Sequence, residues 1–139
     1  MAGVALAVEA MGRHGRTEVM GVQAKNSTGM YASLRAGQIV QVSEEPTIAD
    51  GIAGNLEPGA ITFDIIHRFV RRILLVEESE IRRAVIQLRR EEGLVVEPSG
   101  AVCVAAWRAG REELPQGRIG IVISGGNLDP GKLTEWLSE

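Results

Sequence analysis

Three short polar stretches follow apolar runs in this sequence, and their residue types suit ligand binding. They are Asp50-Gly51, Glu97, and Ser-Gly-Gly-Asn at 124–127. Glycines let the backbone approach a planar or anionic ligand, a serine hydroxyl donates or accepts a hydrogen bond, and a carboxylate orients a ligand or carries a proton. Each stretch also has a simpler interpretation, which its own spacing favours: a tight turn for the two glycine-containing stretches and a solvated carboxylate for Glu97.

Several other kinds of site are excluded by counting residues. The only cysteine is Cys103, which leaves no disulfide framework and no cysteine-based zinc site, and we expect it to be a small buried hydrophobe. The two histidines, His14 and His67, have no metal-ligand partner at a useful spacing. The only lysines are Lys25 and Lys132, so a Schiff-base mechanism has to use one of them or a lysine of another chain.

The composition is that of a globular protein with an aliphatic core. Of the 139 residues 45% are hydrophobic and 24% are charged, and the net charge of −3 argues against a nucleic-acid partner. The apolar start, residues 1–8, has no basic flank and is too short to span a bilayer. We therefore expect a cytoplasmic protein with no membrane partner.

Arginines are concentrated in the middle of the chain, where glutamates alternate with them. Glu78 with Arg82 has the i,i+4 spacing of a favourable pair on a helix surface. We interpret the group as a solvated helix face or a subunit contact rather than a phosphate site; it comprises Arg68, Arg71, Arg72, Arg82, Arg83, Arg89 and Arg90.

Alternating helical and apolar segments predict an α/β fold, with residues 1–139 as a single domain. An apolar helix begins the chain and is expected to be mostly buried. Strands are predicted at 17–23, 73–76, 94–96 and 119–123, and further helices at 28–36, 63–70, 80–92, 98–109 and from 130 onward. Continuous apolar strands indicate a parallel sheet covered by helices on both faces. Because ligands bind beyond the carboxyl ends of such strands, the three polar stretches should meet there.

Taken together, the motifs resemble one enzyme family. Thr-Ile-Ala-Asp-Gly at 47–51, Val-Val-Glu-Pro-Ser-Gly-Ala at 95–101 and Ser-Gly-Gly-Asn-Leu-Asp at 124–129 occur in this order. The set closely resembles the threonine/serine dehydratase and serine racemase family, which is pyridoxal-phosphate dependent and of fold type II. The resemblance covers essentially the whole chain and implies the C-terminal part of that family's large domain.

The resemblance also implies roles for individual residues. Ser124 matches the serine that hydrogen-bonds the pyridine nitrogen, and a neutral hydroxyl there suits elimination chemistry. Glu97 matches an acidic residue near the ring, and Gly51 matches a backbone neighbour of the cofactor. The implied cofactor-binding residues are Ser124, Gly125, Gly126, Asn127, Glu97 and Gly51. The implied reaction eliminates the β-hydroxyl of a hydroxy-amino acid, giving a 2-oxo acid and ammonia.

The sequence departs from the family pattern in two ways, which change the expected activity and the expected metal binding. Neither the Schiff-base lysine nor the phosphate-cradling glycine loop is present, so we expect no catalytic residue in this chain and little activity from it alone. Gln23 and residues 28–29 stand where many relatives carry carboxylate metal ligands, which predicts that no metal site exists.

Two interpretations remain open. The chain is part of a dehydratase that pairs with a complementary N-terminal chain, or it is a non-catalytic fragment or assembly module. Apolar surface left by a missing half favours association, and we expect a homo-oligomer. Dehydratase and racemase cannot be separated on these residues.

Overall fold

Six α-helices and two strands make up the computed structural model, which describes residues 1–13, 16–110, 113–114 and 117–138. In chain order they are α1 (Ala2–Ala10), β1 (Met20–Ala24), α2 (Gly29–Ala36), α3 (Ile61–Phe69), β2 (Arg72–Val76), α4 (Glu78–Glu92), α5 (Pro98–Arg108) and α6 (Pro130–Ser138). A short 3-10 turn, Asp50–Ile52, interrupts the long connection between α2 and α3.

The two strands pair in parallel, as the alternation of helices and strands predicted. The register runs from Met20 opposite Arg72 to Ala24 opposite Val76. Three of the five β2 residues, Ile73, Leu74 and Val76, are buried, because helices pack on both sides of this apolar strand. The fold is therefore α/β, with the carboxyl ends of both strands at one edge.

Most predicted helices are confirmed, and their ends follow local chemistry. Gly37 ends α2 and Gly93 ends α4, each in the left-handed conformation that glycine adopts freely. The Asp129 carboxylate accepts a hydrogen bond from the backbone of Lys132 (2.8 Å) and so caps α6. The predicted start of α4 at residue 80 was wrong, since the helix already begins at Glu78.

The start of α3 also differs from the prediction. The helix begins at Ile61 with Ala60 as its N-cap residue, two positions before the predicted start at residue 63. The short Ala60 side chain offers no cap, so backbone dihedrals rather than a hydroxyl set this boundary. Helix ends commonly differ by such an amount.

The hydrophobic core has two parts. The larger part joins β2 to the inner faces of α4 and α5, with Val76, Ile81, Val85, Ala101 and Ala105 among its most buried members. The smaller part joins α1 to α3 through Ala5, Met30, Phe63, Ile66, Val70 and Ile73. The larger part lies directly beneath the polar stretches and gives them a rigid base.

Two predicted strands, 94–96 and 119–123, are absent from the sheet. In the described part of the chain only β1 and β2 pair. Val95 is 46% exposed and Val122 is 56% exposed, so these apolar side chains have no facing layer. A β-strand needs backbone hydrogen bonds to a neighbouring strand, and an apolar run alone does not provide that neighbour.

The opening helix forms but is not mostly buried, contrary to expectation. Ala5 is its one buried residue, while Val4 and Leu6 are 39% and 43% exposed. The helix packs on α3 along a single stripe, so its remaining apolar side chains face outward. Among the described residues, no helix has both the length and the apolarity that crossing a membrane requires.

Candidate functional site

The structure brings the residues predicted around the site together. A Cβ built on Gly51 would lie 2.9 Å from the Ser99 hydroxyl oxygen and 3.7 Å from Glu97 Oε1. A Cβ built on Gly125 would lie 2.3 Å from Glu97 Oε1. The Glu97 carboxylate is therefore flanked by two backbone segments, and glycine at both positions leaves room for it.

Glu97 also holds the backbone of the 124–127 stretch. Its Oε2 accepts a hydrogen bond from the Asn127 amide (3.2 Å), and its own amide donates to the Gly125 carbonyl (3.3 Å). Glu97 is the N-cap residue of α5, so its backbone has the extended conformation that aims the side chain away from the helix. The Glu97 carboxylate thus bonds the 124–127 side of the site and lies near Gly51 on the other side.

A third glycine allows the closest approach in the described part of the chain. A Cβ on Gly100 would lie 1.6 Å from the Ser124 carbonyl oxygen and 3.0 Å from Val96 Cγ1. Gly100 is in the first turn of α5, where an alanine would otherwise suit the helix better. Gly126 also lies close to a backbone carbonyl, since a Cβ built on it would lie 3.2 Å from the Val95 carbonyl oxygen. The 124–126 backbone therefore rests directly on α5 and the segment before it.

The predicted cofactor residues form an open wall rather than an enclosed pocket. Gly51 and the whole of 124–127 are exposed, including Ser124. Beneath them, Ala49 and Ala101 are 0% exposed and Val96 is 4% exposed. The wall can therefore contact a flat ligand on one side only.

Ser99 is a residue that the sequence analysis did not single out. Its hydroxyl oxygen is buried and has no hydrogen-bond partner in the described structure. An unsatisfied buried hydroxyl costs about 1–3 kcal/mol, and such a group calls for an explanation such as a functional role. Its place directly after the Glu97-Pro98 pair was the available signal, but no sequence pattern shows that a hydroxyl lacks a partner.

Glu78 is a second residue whose contacts sequence reasoning missed. Its carboxylate accepts hydrogen bonds from the Thr47 hydroxyl (2.6 Å) and the Ile48 amide (2.7 Å). It therefore ties α4 to the loop that carries Gly51. The sequence signal was only its position shortly after β2, beside the carboxyl edge of the sheet.

The other candidate groups lie outside this cluster. Burial raises the pKa of the Cys103 thiol, which favours the neutral, unreactive form. The Lys25 ammonium donates to Glu77 (2.5 Å), and His67 stacks on Phe63. His14 lies outside the described residues. No group of three or more histidine, cysteine, aspartate or glutamate residues with metal-binding geometry occurs in the described ranges.

Gln23, at the position where relatives were expected to carry a metal ligand, has a different bond. Its side chain is buried, and Oε1 accepts a hydrogen bond from the backbone amide of Tyr31 (2.8 Å) in the first turn of α2. The Gln23 amide oxygen therefore satisfies one of the backbone N–H groups that the N-terminus of α2 leaves without a helical partner.

Comparison with known proteins gives the family. Residues 1–125 match the model of the family described as pyridoxal-phosphate dependent enzyme. This chain belongs to that family.

Similar family members are threonine ammonia-lyases and serine racemases. The chain is 39% identical over 129 residues to the L-threonine ammonia-lyase of Thermotoga maritima, covering 93% of this chain and 31% of the relative. It superposes on the crystal structure of T.th. threonine deaminase with a TM-score of 0.81 and 37% identity, covering 92% of this chain and 46% of that one. For maize serine racemase the TM-score is 0.81, with 30% identity and coverage of 99% and 42%.

These superpositions confirm the fold type II architecture that the motifs implied. The chain spans only about a third of the length of curated relatives such as the Thermotoga maritima enzyme. The roles of the individual wall residues stay predictions.

Proposed function

We propose that the chain forms the ring-facing wall of a pyridoxal-phosphate site in an ammonia-lyase. The enzyme would remove the β-hydroxyl of threonine or serine and yield a 2-oxo acid and ammonia. The supporting observation is the convergence of Gly51, Glu97 and the 124–127 stretch at one edge of an α/β fold, in a chain of the pyridoxal-phosphate dependent family.

The wall has features that fit a flat aromatic cofactor. Gly51 and Gly125 leave room for the Ser99 hydroxyl and the Glu97 carboxylate, so these polar groups lie close to the exposed backbone of the wall. The buried Ser99 hydroxyl has an unused hydrogen bond at the same place. The exposed Ser124 stands at the rim, where its hydroxyl can reach a ring atom.

Each wall residue then has a defined task. The Ser124 hydroxyl would hydrogen-bond the ring nitrogen without a net charge, which leaves that nitrogen largely unprotonated. Glu97 would fix the 124–127 backbone through Asn127 and lie beside the ring, while Gly51, Gly125 and Gly126 would set how closely the ring approaches. The bound cofactor supplies the electron sink that makes the amino acid's α-proton removable.

The remaining parts of the site would come from residues outside this 139-residue sequence. An open wall contacts one side of a ligand, and the adjacent apolar residues are exposed: Leu94, Val95, Ile119, Val122 and Ile123. Exposed apolar surface beside a site marks an interaction surface. A complementary chain that carries the lysine, assembly into oligomers and a cytoplasmic location are parts of this proposal.

Complementation tests the proposed function. The chain is mixed with the part of the Thermotoga maritima relative that lies outside the aligned region, together with pyridoxal phosphate. Production of 2-oxobutanoate from L-threonine and pyruvate from L-serine is then measured. We expect activity from the mixture only. Ser124→Ala should lower it by about tenfold or more, since one hydrogen bond to the ring is worth about that. Gly3→Ala, at a helical position with open space, should not lower it.

Three results would overturn parts of this account. Robust activity of the 139-residue chain alone would show that it contains a complete site. A mixture that forms a stable complex, binds the cofactor and still releases neither product would remove the ammonia-lyase assignment. A mixture that forms no complex at all would refute the complementary-chain proposal.

A further inference from the structure

The loop that carries Gly51 has little regular structure of its own. Between the end of α2 at Ala36 and the start of α3 at Ile61, only the 3-10 turn Asp50–Ile52 is helical and no strand forms. Side chains hold this connection in place. Ser27 and Asn55 bind its flanks, and Glu78 binds its centre.

The donors and acceptors of the hydrogen bonds around Glu78 can be assigned in only one way. An ionised carboxylate only accepts hydrogen bonds, so the Thr47 hydroxyl must donate to Oε1 (2.6 Å). The hydroxyl oxygen is then free to accept from the Ala49 amide, 3.1 Å away. Together with the Ile48 amide bond to Oε2, three consecutive residues are fixed by one carboxylate.

Those three residues determine where Gly51 lies. Ala49 is completely buried, and its carbonyl accepts a hydrogen bond from the Ile52 amide (3.1 Å), which closes the turn around Gly51. Gly51 then packs on Ser99 so tightly that an added Cβ would lie 2.9 Å from the hydroxyl. Any displacement of the loop would therefore change the spacing between Gly51 and Glu97.

We propose that Glu78 is a positioning residue of the site, which holds the Thr47–Gly51 loop against the Glu97–Ser99 wall. It acts through the loop and has no contact with the ligand. Glu78 stands in the first turn of α4, where an acidic side chain lies close to the positive end of the helix dipole. The anchoring itself follows from the geometry, and its consequence for ligand binding rests on the proposed function.

Amide hydrogen exchange measured by NMR on the 139-residue chain tests the anchoring. Glu78→Ala removes both acceptors, and Thr47→Val removes the hydroxyl while keeping the shape. Glu78→Ala should speed exchange of the Ile48 amide and Thr47→Val that of the Ala49 amide, each by about tenfold or more, the effect of losing one hydrogen bond. Thr47→Ser keeps a hydroxyl and should restore protection of the Ala49 amide. Glu92→Ala, the same change at the exposed far end of the same helix, should leave both amides unchanged.

A ligand titration tests the consequence. Pyridoxine 5′-phosphate, which lacks the aldehyde and does not label lysines, is titrated while amide shifts are followed. In Glu78→Ala we expect the Gly51 shift to fall by at least half, with the shifts of 124–127 kept. A merely structural loss would weaken all of them together.

The two experiments separate the possible failures. If exchange is unchanged in both Glu78→Ala and Thr47→Val, the positioning role is wrong, whatever the ligand does. If the unsubstituted chain shows no ligand shifts at the wall while exchange changes as expected, the anchoring stands and the proposed function fails. If Glu78→Ala unfolds the chain, the Thr47→Val and Thr47→Ser pair decides the question.

Discussion

The two halves of the candidate site differ in how they are held. The half formed by residues 47–51 and 95–101 rests on fully buried side chains and is tied down by Glu78 and by the start of α5. The half formed by residues 119–127 is almost wholly exposed, and it touches the rest through Gly100, Gly126 and the hydrogen bonds of Glu97. One half is part of the core, and the other lies on top of it.

The difference shows which part of the site is held by contacts within this chain and which part is not. The position of Gly51 and Glu97 follows from the chain's own packing. The position of Ser124 depends on a few backbone contacts and on whatever covers the apolar run beside it. Substitutions in the contact between the halves should therefore have the largest effects.

Gly100→Ala should have the largest effect, because its Cβ would overlap the Ser124 carbonyl. In an open helix this change stabilises by roughly 0.5–1 kcal/mol; here we expect a loss of about 1–3 kcal/mol in the free energy of unfolding. Chemical denaturation measures it, with Gly3→Ala as the control that should gain stability. A gain in both variants would mean that the halves are not in contact.

Gly125→Ala should have the next largest effect. The residue has a φ of 75°, and the added Cβ would strike the Glu97 carboxylate. Gly37→Ala is a matched control, since that residue has a φ of 68° and nothing within 4 Å. Both variants carry the left-handed strain of about 1–2 kcal/mol. We expect the first variant alone to lose the protection of the Asn127 amide from exchange, and equal protection in both would contradict the contact.

Ser99→Ala should stabilise the fold, in contrast to the two glycine substitutions. Removing a buried hydroxyl without a partner should raise the free energy of unfolding by about 1 kcal/mol. It should also relieve part of the cost of Gly51→Ala, whose Cβ meets that hydroxyl. A thermal melt of the single and double variants checks both effects, and a destabilised Ser99→Ala would show that the hydroxyl does have a partner.

The smallest effect concerns the partly buried Cys103, which lies on α5 just after the last residue of the buried half. Burial raises the pKa of this thiol, so less thiolate is present at any given alkaline pH than in a free cysteine. We expect alkylation in mildly alkaline buffer to be several-fold slower than in the unfolded chain. Since the folded pKa is the higher one, this group's contribution to stability is complete at neutral pH and decreases as the pH rises through the alkaline range. Equal alkylation rates would show that the buried half opens readily.

Local chemistry explains which elements could be predicted. Gly37 and Gly93 mark helix ends through their own conformational freedom, and Asp129 caps α6 from one residue before it, so these signals are contained in short windows. The β1 and β2 runs could be predicted because each has a partner in the chain. The run 119–123 is equally apolar, but it forms no strand, because no neighbouring segment among the described residues pairs with it or covers its side chains.

The same reasoning applies to the site. The prediction that the three polar stretches lie together is confirmed for Gly51, Glu97 and Gly125, although the runs before Glu97 and Ser124 form no strand. The contact of Glu78 with Thr47 could not be predicted, because the two residues are 31 positions apart and no local spacing links them. Long-range contacts of this kind are a consequence of packing and have no local signature.

A pyridoxine 5′-phosphate titration of the unsubstituted chain tests the central claim most directly. Amide shifts are followed by NMR up to millimolar ligand. The account predicts saturable shifts concentrated at Gly51, Glu97 and 124–127, on both halves of the wall. Shifts that are absent there, or that are scattered over the surface or centred on Lys25, would contradict the claim that this chain carries the ring-facing wall of a cofactor site.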